Sequence, residues 1–178
     1  HTAMLQWGSA PPEALQALTG VHRKISDLLR DLPAAPTQRL NQLGLLGALR
    51  ETLNLELVDG FDGLHWEETP AAVEAAAKLP AQTAETLYFA AREAARNAAR
   101  HARGERPLHL WVWAEALPGG GLQLVIEDDG VGLGAGNANH EGAGQGLSLH
   151  TTLMALMGGS LNMESQPDAF TRVTLRSA

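Results

Sequence analysis

The sequence predicts an α+β fold: a two-layer α/β sandwich with helices on one face of a mixed, mostly antiparallel sheet. Three observations predict it. Thr83–Ala102 is an alanine-rich stretch with no breaker, the composition of a strong helix. Leu108–Ala116 and Leu122–Glu127 follow as strand candidates around a Pro118-Gly119-Gly120-Gly121 turn. A further helix and a closing hairpin end the chain.

The elements can be justified in order. Pro11-Pro12 interrupts the opening stretch, and Glu13–Leu32 then repeats apolar residues at three- and four-residue steps (Leu15, Leu18, Val21, Ile25, Leu28, Leu29, Leu32), one stripe of a helix. Two helical segments there suit a hairpin that pairs with another copy; a single helix packed on its own domain is the alternative. Pro33–Pro36 breaks the pattern, which puts a domain boundary near residue 35: residues 1–35 as one helical segment, 36–178 as the main domain. Thr37 suits an N-cap for a helix through Leu40, Leu43, Leu46 and Leu49 to about Leu55. Leu64 and Trp66 suit a short strand, and Ala71–Lys78 a short helix ended by Pro80. In Leu108–Ala116 the residues Leu108, Leu110, Val112 and Ala114 alternate with His109, Trp111 and Trp113, the period of a strand with one buried face. Leu133–Gly144 has no periodicity and reads as a mobile loop. Gln145–Met157 resumes helix, stopped by Gly158-Gly159; Ser160–Ser165 and Phe170–Arg176 form a last hairpin around Gln166-Pro167-Asp168.

Composition narrows the function. The net charge of −7 and the scattered basic residues argue against nucleic acid as a partner. The absence of cysteine removes disulfide and thiolate chemistry. No apolar run approaches the ~20 residues that span a bilayer. A cytoplasmic location is expected. The abrupt start inside a helix-like stretch suggests a piece of a longer protein, whose parent can still be membrane-anchored.

Three constellations carry chemistry. Glu93, Asn97, Arg100 and His101 recur at steps of three and four on one helical face. A carboxylate, an amide oxygen and cations together suit Mg²⁺ with a polyphosphate, because Mg²⁺ takes oxygen ligands and keeps waters; a solvated polar face is the plainer reading. Glu127-Asp128-Asp129-Gly130-Val131-Gly132 ends an apolar strand. Its glycines allow a sharp turn and close approach of a ligand, and a carboxylate before them can accept from an exocyclic amine; an ordinary Asp-Gly turn is the alternative. Gly142-Ala143-Gly144-Gln145-Gly146-Leu147 leads into a helix N-terminus, where backbone N–H groups and the helix dipole favour phosphate.

In this order, helix, strand pair, Asp-x-Gly-x-Gly, loop, Gly-x-Gly, helix and hairpin, the chain resembles the GHKL ATPase superfamily (the Bergerat ATP-binding fold). Glu93-x-x-x-Asn97 resembles its N box, and Asp128-x-Gly130-x-Gly132 and Gly144-x-Gly146-Leu147 its two G boxes. Arg100-His101 and Gly146-Leu147-x-x-His150 resemble the sensor histidine kinases of the class containing nitrate sensors and the lipid-thermosensor kinase, and His22–Pro33 resembles the second helix of that class's dimerisation domain. The resemblance implies ATP and Mg²⁺ as cofactors. It implies Asn97 as the Mg²⁺ ligand, Glu93 polarising a water or the metal shell, and Asp128 reading the adenine amine. Gly130 and Gly132 would shape the adenine floor; Gly144, Gly146 and Leu147 would close over phosphates. Arg100 and His101 would lie near phosphate or ribose. Thr171 resembles the closing threonine near adenine, with Phe170 standing where the family has glycine.

The family passes the γ-phosphoryl to a histidine on a dimerisation helix, and from there to a response regulator receiver domain. His1 has Gln6 at the expected step but Thr2 in place of the acid, so the acceptor is expected upstream and missing from this fragment, which would then bind ATP without phosphorylating itself. A homodimer through the N-terminal helices is expected. The alternatives are another GHKL ATPase, such as an anti-sigma-factor serine kinase, or a non-catalytic nucleotide-binding module.

Overall fold

A computed structural model describes residues 34–133 and 143–178. The expected N-terminal hairpin, His1, the His22–Pro33 segment and most of the loop expected at Leu133–Gly144 lie outside the described residues. The chain divides into two units, His1–Gln38 and Arg39–Ala178; the second holds the sheet, the candidate site and all of the first helix from Arg39 on.

Helix α1 spans Ala34–Thr52, with Gly44 in a non-helical conformation (φ 68°, ψ 177°). It therefore starts before Thr37 and ends before Leu55. A π-helical turn, Leu53–Leu57, and a 3₁₀ turn, Val58–Gly60, carry the chain to strand β1, Gly63–Glu68. Helix α2 is Pro70–Lys78; the Thr69 hydroxyl caps it by accepting from the Ala72 N–H, and Pro70 holds the first helical position. Helix α3 is Ala81–His101, β2 His109–Ala116, β3 Leu122–Asp128, α4 Ala143–Leu156, β4 Ser160–Gln166 and β5 Phe170–Arg176.

The five strands lie in the order β1-β2-β3-β5-β4. β1 pairs with β2 in parallel; the other pairs are antiparallel. The alternation in β2 and β3 sorts the side chains. Leu110, Val112, Ala114, Leu124 and Ile126 are buried under the helices with Val173 and Leu175 of β5. His109, Trp111 and Trp113 stand on the other face. Helix α3 packs on β3, β5 and α4 through small side chains, Ala91, Ala94, Ala95 and Ala98, which let helix and sheet approach closely.

The turn between β2 and β3 uses Gly119 and Gly120 at φ near +100°, closed by the Leu117 N–H donating to the Gly121 carbonyl. Gly158 (φ 75°) ends α4 as expected: the Gly159 N–H reaches back to the Met154 carbonyl and the Gly158 N–H to the Ala155 carbonyl.

One buried polar pair ties α1 to α3. The Thr52 and Tyr88 hydroxyls are 2.8 Å apart, and both residues are fully buried. Thr52→Val keeps the shape but leaves the Tyr88 hydroxyl short of a partner, so a loss of about 1–3 kcal/mol is expected. Adding Tyr88→Phe should recover part of it, which urea denaturation of the two single variants and the double variant would measure.

Candidate functional site

Two polar groups lie on the helix-covered side of the sheet and set up the site. Asp128 continues the buried alternation Leu122, Leu124, Ile126 at the end of β3, so its carboxylate points toward the helices. Its register partner on β5 is Thr171 and on β2 is Leu110. The Gly130 N–H donates to Asp128 Oδ1 at 3.1 Å. Burial pushes the Asp128 carboxyl up to about 6 against this hydrogen bond, and the neighbouring carboxylates of Asp129 and Glu127 push the same way. A carboxylate held here at neutral pH is unfavourable for folding alone.

Asn97 is the second group. It sits on α3, half-buried, and its Nδ2 is buried with no hydrogen-bond partner among the described residues. An orphaned buried amide is costly unless something else completes it. Half a turn about the last side-chain bond puts Oδ1 at the same place, so the amide can serve a donor or a cation.

One turn earlier on α3, Glu93 accepts from Arg96 Nη2, three residues on. Glu93 is therefore an ion-paired carboxylate rather than an isolated one. Arg100 and His101 are exposed in the last turn of α3, where the helix dipole favours cations.

The Asp128–Gly132 segment is held by backbone contacts. The Val131 N–H donates to the Ala102 carbonyl at 2.9 Å, and the Asp168 N–H donates to the Val131 carbonyl at 2.7 Å. A Cβ on Gly130 would lie 2.2 Å from the Ala102 carbonyl oxygen; on Gly132 (φ 64°) it would lie 2.3 Å from that of Gln166. Both glycines are thus required by close backbone approach within the protein, whatever they meet beyond it. Thr171 Oγ1 lies 3.1 Å from Ser165 Oγ, and that hydroxyl accepts from the Leu133 N–H. Asp128, Thr171, Gly130 and Gly132 are therefore brought together.

Gly144 and Gly146 fall in the first turn of α4, with Leu147 buried in the core after them. A cavity of about 400 Å³, lined by Ala102, Arg106, Asp129, Gly130, Val131 and Asp168 among others, opens beside the same loop. It includes none of Asn97, Asp128 and Thr171, so the predicted ligands do not converge there.

His150 stands outside the residues to which the resemblance gives a role. It lies half-buried on α4, where its Nδ1 has no partner among the described residues. Burial lowers its pKa from 6.5; Glu93 opposes this and Arg96 adds to it. The unfolded chain then binds the proton more readily. Stability from keeping His150 neutral is present at neutral pH and is lost as pH falls below about 6.5. Melting temperatures from pH 7.5 to 5.5 should fall less for His150→Leu than for the unsubstituted chain. Its sequence signal is its place in Gly146-Leu147-x-x-His150, which marks a resemblance and no role; the α3–α4 contact that makes it matter is non-local.

Residues 82–177 match the family model described as "Histidine kinase-, DNA gyrase B-, and HSP90-like ATPase". A search of curated proteins returned no significant match. Among solved structures, the fold is similar to the histidine kinase domain of the Erythrobacter litoralis EL346 blue-light activated histidine kinase (TM-score 0.59, 19% identity, 75% of this chain and 62% of that one). It is also similar to the Erythrobacter litoralis EL346 blue-light activated histidine kinase (0.55, 20%, 79% and 47%) and to the Acinetobacter baumannii histidine kinase AdeS (0.50, 14%, 96% and 86%). The chain spans less than two thirds of the first two. At these identities the likeness is one of fold.

Proposed function

Since this chain belongs to the histidine kinase-, DNA gyrase B- and HSP90-like ATPase family, we propose that it is the Mg-ATP-binding catalytic domain of a sensor histidine kinase. The observation that carries the reading is a pair of costly polar groups on the helix-covered side of the sheet: the Asp128 carboxylate, whose burial raises its pKa in spite of its hydrogen bond from the Gly130 N–H, and the orphaned Asn97 amide. Each is a cost to the protein alone and a complement to a purine triphosphate with its cation. Asp128 accepts from the adenine amine, beside Thr171 and the Gly130–Gly132 turn. Asn97 offers an amide oxygen to Mg²⁺, which when bound neutralises charge on the phosphates. Gly144, Gly146 and Leu147 begin α4, whose N-terminal N–H groups suit phosphate oxygens. Arg100 and His101, exposed at the end of α3, would meet phosphate or ribose. Glu93, ion-paired with Arg96, would orient a water of the metal.

The reaction transfers the γ-phosphoryl of ATP to a histidine of the dimerisation helices, leaving ADP, and from there to the receiver domain of a response regulator. Phosphoryl transfer depends on positioning and charge neutralisation rather than covalent help, which suits this inventory. Residues 1–35 are read as the end of the dimerisation segment, with the acceptor upstream of His1 and a homodimer formed through those helices. ATP chemistry implies the cytoplasmic side; no helix among the described residues is long and apolar enough to cross a membrane.

Calorimetric titration with ATP in the presence and absence of Mg²⁺ tests the site. Asn97→Ala should lose about 10–100-fold of the affinity measured with Mg²⁺ and little of that measured without it, a loss of roughly 1.5–3 kcal/mol for a charged interaction. Equal affinity in both chains would remove the reading. Incubation of this chain with γ-labelled ATP should leave it unlabelled, and an acid-labile, base-stable phosphoprotein at His1 would overturn the upstream acceptor.

A further inference from the structure

We propose that His65 and His109, on the open face of the sheet, form a binding site for a divalent transition-metal ion of the zinc, nickel and copper class. The site is separate from the proposed nucleotide site, which uses the opposite, helix-covered face.

The parallel register pairs Gly63 with His109 and His65 with Trp111, so His65 and His109 are diagonal neighbours with Gly63 between them. Gly63 leaves a gap. A Cβ there would lie 3.3 Å from His65 Nε2, 3.5 Å from His109 Nε2 and 2.6 Å from His109 Cδ2. Both Nε2 atoms therefore border the same empty side-chain position. The ring centroids are 6.0 Å apart. Two imidazoles sharing one ion at about 2 Å from each nitrogen have centroids roughly 5–6 Å apart, so small ring rotations suffice.

The surroundings favour a metal over a chance pair. His109 Nδ1 lies 2.9 Å from Asp129 Oδ2, and the His109 N–H donates to Asp129 Oδ1 at 2.7 Å. A carboxylate on Nδ1 holds the proton there and leaves the Nε2 lone pair free, the arrangement that orients ligating histidines. His65 is oriented by stacking on Trp111, with centroids 5.0 Å apart. Asp62 adds negative charge close by, although its carboxylate is already engaged by Arg103 and the Leu108 N–H. Among the described residues no group of three His, Cys, Asp or Glu side chains surrounds one point. The site is thus a two-histidine site completed by water, and imidazole ligation selects copper, nickel and zinc over magnesium or calcium.

The test titrates the whole chain, without nucleotide and in excess Mg²⁺, with ZnCl₂ by calorimetry and with CuCl₂ by tryptophan fluorescence. One equivalent of Zn²⁺ is expected to bind at this site. Its affinity should fall at least tenfold in His65→Ala and in His109→Ala, and about 10–100-fold in Asp129→Asn. Copper held beside His65 should quench Trp111, and the saturable part of that quenching should be absent in His65→Ala. His65 is exposed, so His65→Ala should keep its circular dichroism and its ATP affinity; if His109→Ala does not fold, His65→Ala and Asp129→Asn still decide. Unchanged zinc affinity and unchanged quenching in His65→Ala would place the metal at other histidines and overturn the proposal.

Discussion

Asp128→Asn is expected to make the nucleotide-free domain more stable while removing most of its affinity for ATP. The aspartate carboxyl is raised from 3.8 to about 6, chiefly by burial. At about 1.4 kcal/mol per pH unit, holding it ionised at neutral pH costs roughly 3 kcal/mol of folding free energy. Because the folded state binds this proton more tightly than the unfolded chain does, the penalty is greatest above about pH 6 and fades as pH falls toward 3.8. Asparagine has the same shape, carries no charge and can still accept from the Gly130 N–H. After the residual cost of a buried amide, a gain of about 1–2 kcal/mol remains. A melting temperature higher by roughly 5 °C at pH 7.5, narrowing toward pH 5, is the expected signature. ATP affinity should fall about 10–100-fold, since a charge-assisted hydrogen bond is weakened. A destabilised Asp128→Asn chain would mean that the carboxylate serves the fold.

Gly130→Ala is expected to lose about 3 kcal/mol or more, and ATP affinity with it. The added Cβ meets the Ala102 carbonyl oxygen at 2.2 Å and the Ala102 Cβ at 2.5 Å. Both are main-chain or short, rigid atoms, so no flexible side chain can swing away. The Val131 N–H bond to the Ala102 carbonyl sits at the same contact, and relief of the clash has to break it. Displacing the Asp128–Gly132 segment moves the carboxylate and the turn together. Thermal melting and ATP titration should therefore fail in parallel, in contrast to Asp128→Asn, where they move in opposite senses. A Gly130→Ala chain with unchanged melting would show that the end of α3 yields freely.

The helices and strands were legible where the signal is local. Alanine content and the absence of breakers mark α3, and alternation marks the buried face of β2. The hairpin expected at Ser160–Ser165 and Phe170–Arg176 is found at Ser160–Gln166 and Phe170–Arg176, one residue longer in its first strand. The helix expected from Thr37 to about Leu55 instead starts at Ala34, kinks at Gly44 and gives way to a π-helical turn. Packing of Leu49 and Leu53 and the Thr52–Tyr88 bond, 36 residues apart in the chain, accompany that change, and no local pattern encodes them. Within the site, the Asp128-x-Gly130-x-Gly132 spacing was readable because a short turn needs glycine at fixed steps. That Glu93 is tied to Arg96, and that His150 lies half-buried across from α3, was not.

The amino-acid order alone determined the α3 helix, the buried face of β2, and which residue types could meet a nucleotide, because periodicity and glycine placement act within a few residues. Tertiary structure decided the parallel edge pair that sets His65 beside His109, the insertion of β5 between β3 and β4 that puts Thr171 opposite Asp128, and the contact of Gly130 with the end of α3. These depend on which surfaces find each other across long stretches of chain, and burial and proton affinity, as at Asp128, exist only once they have.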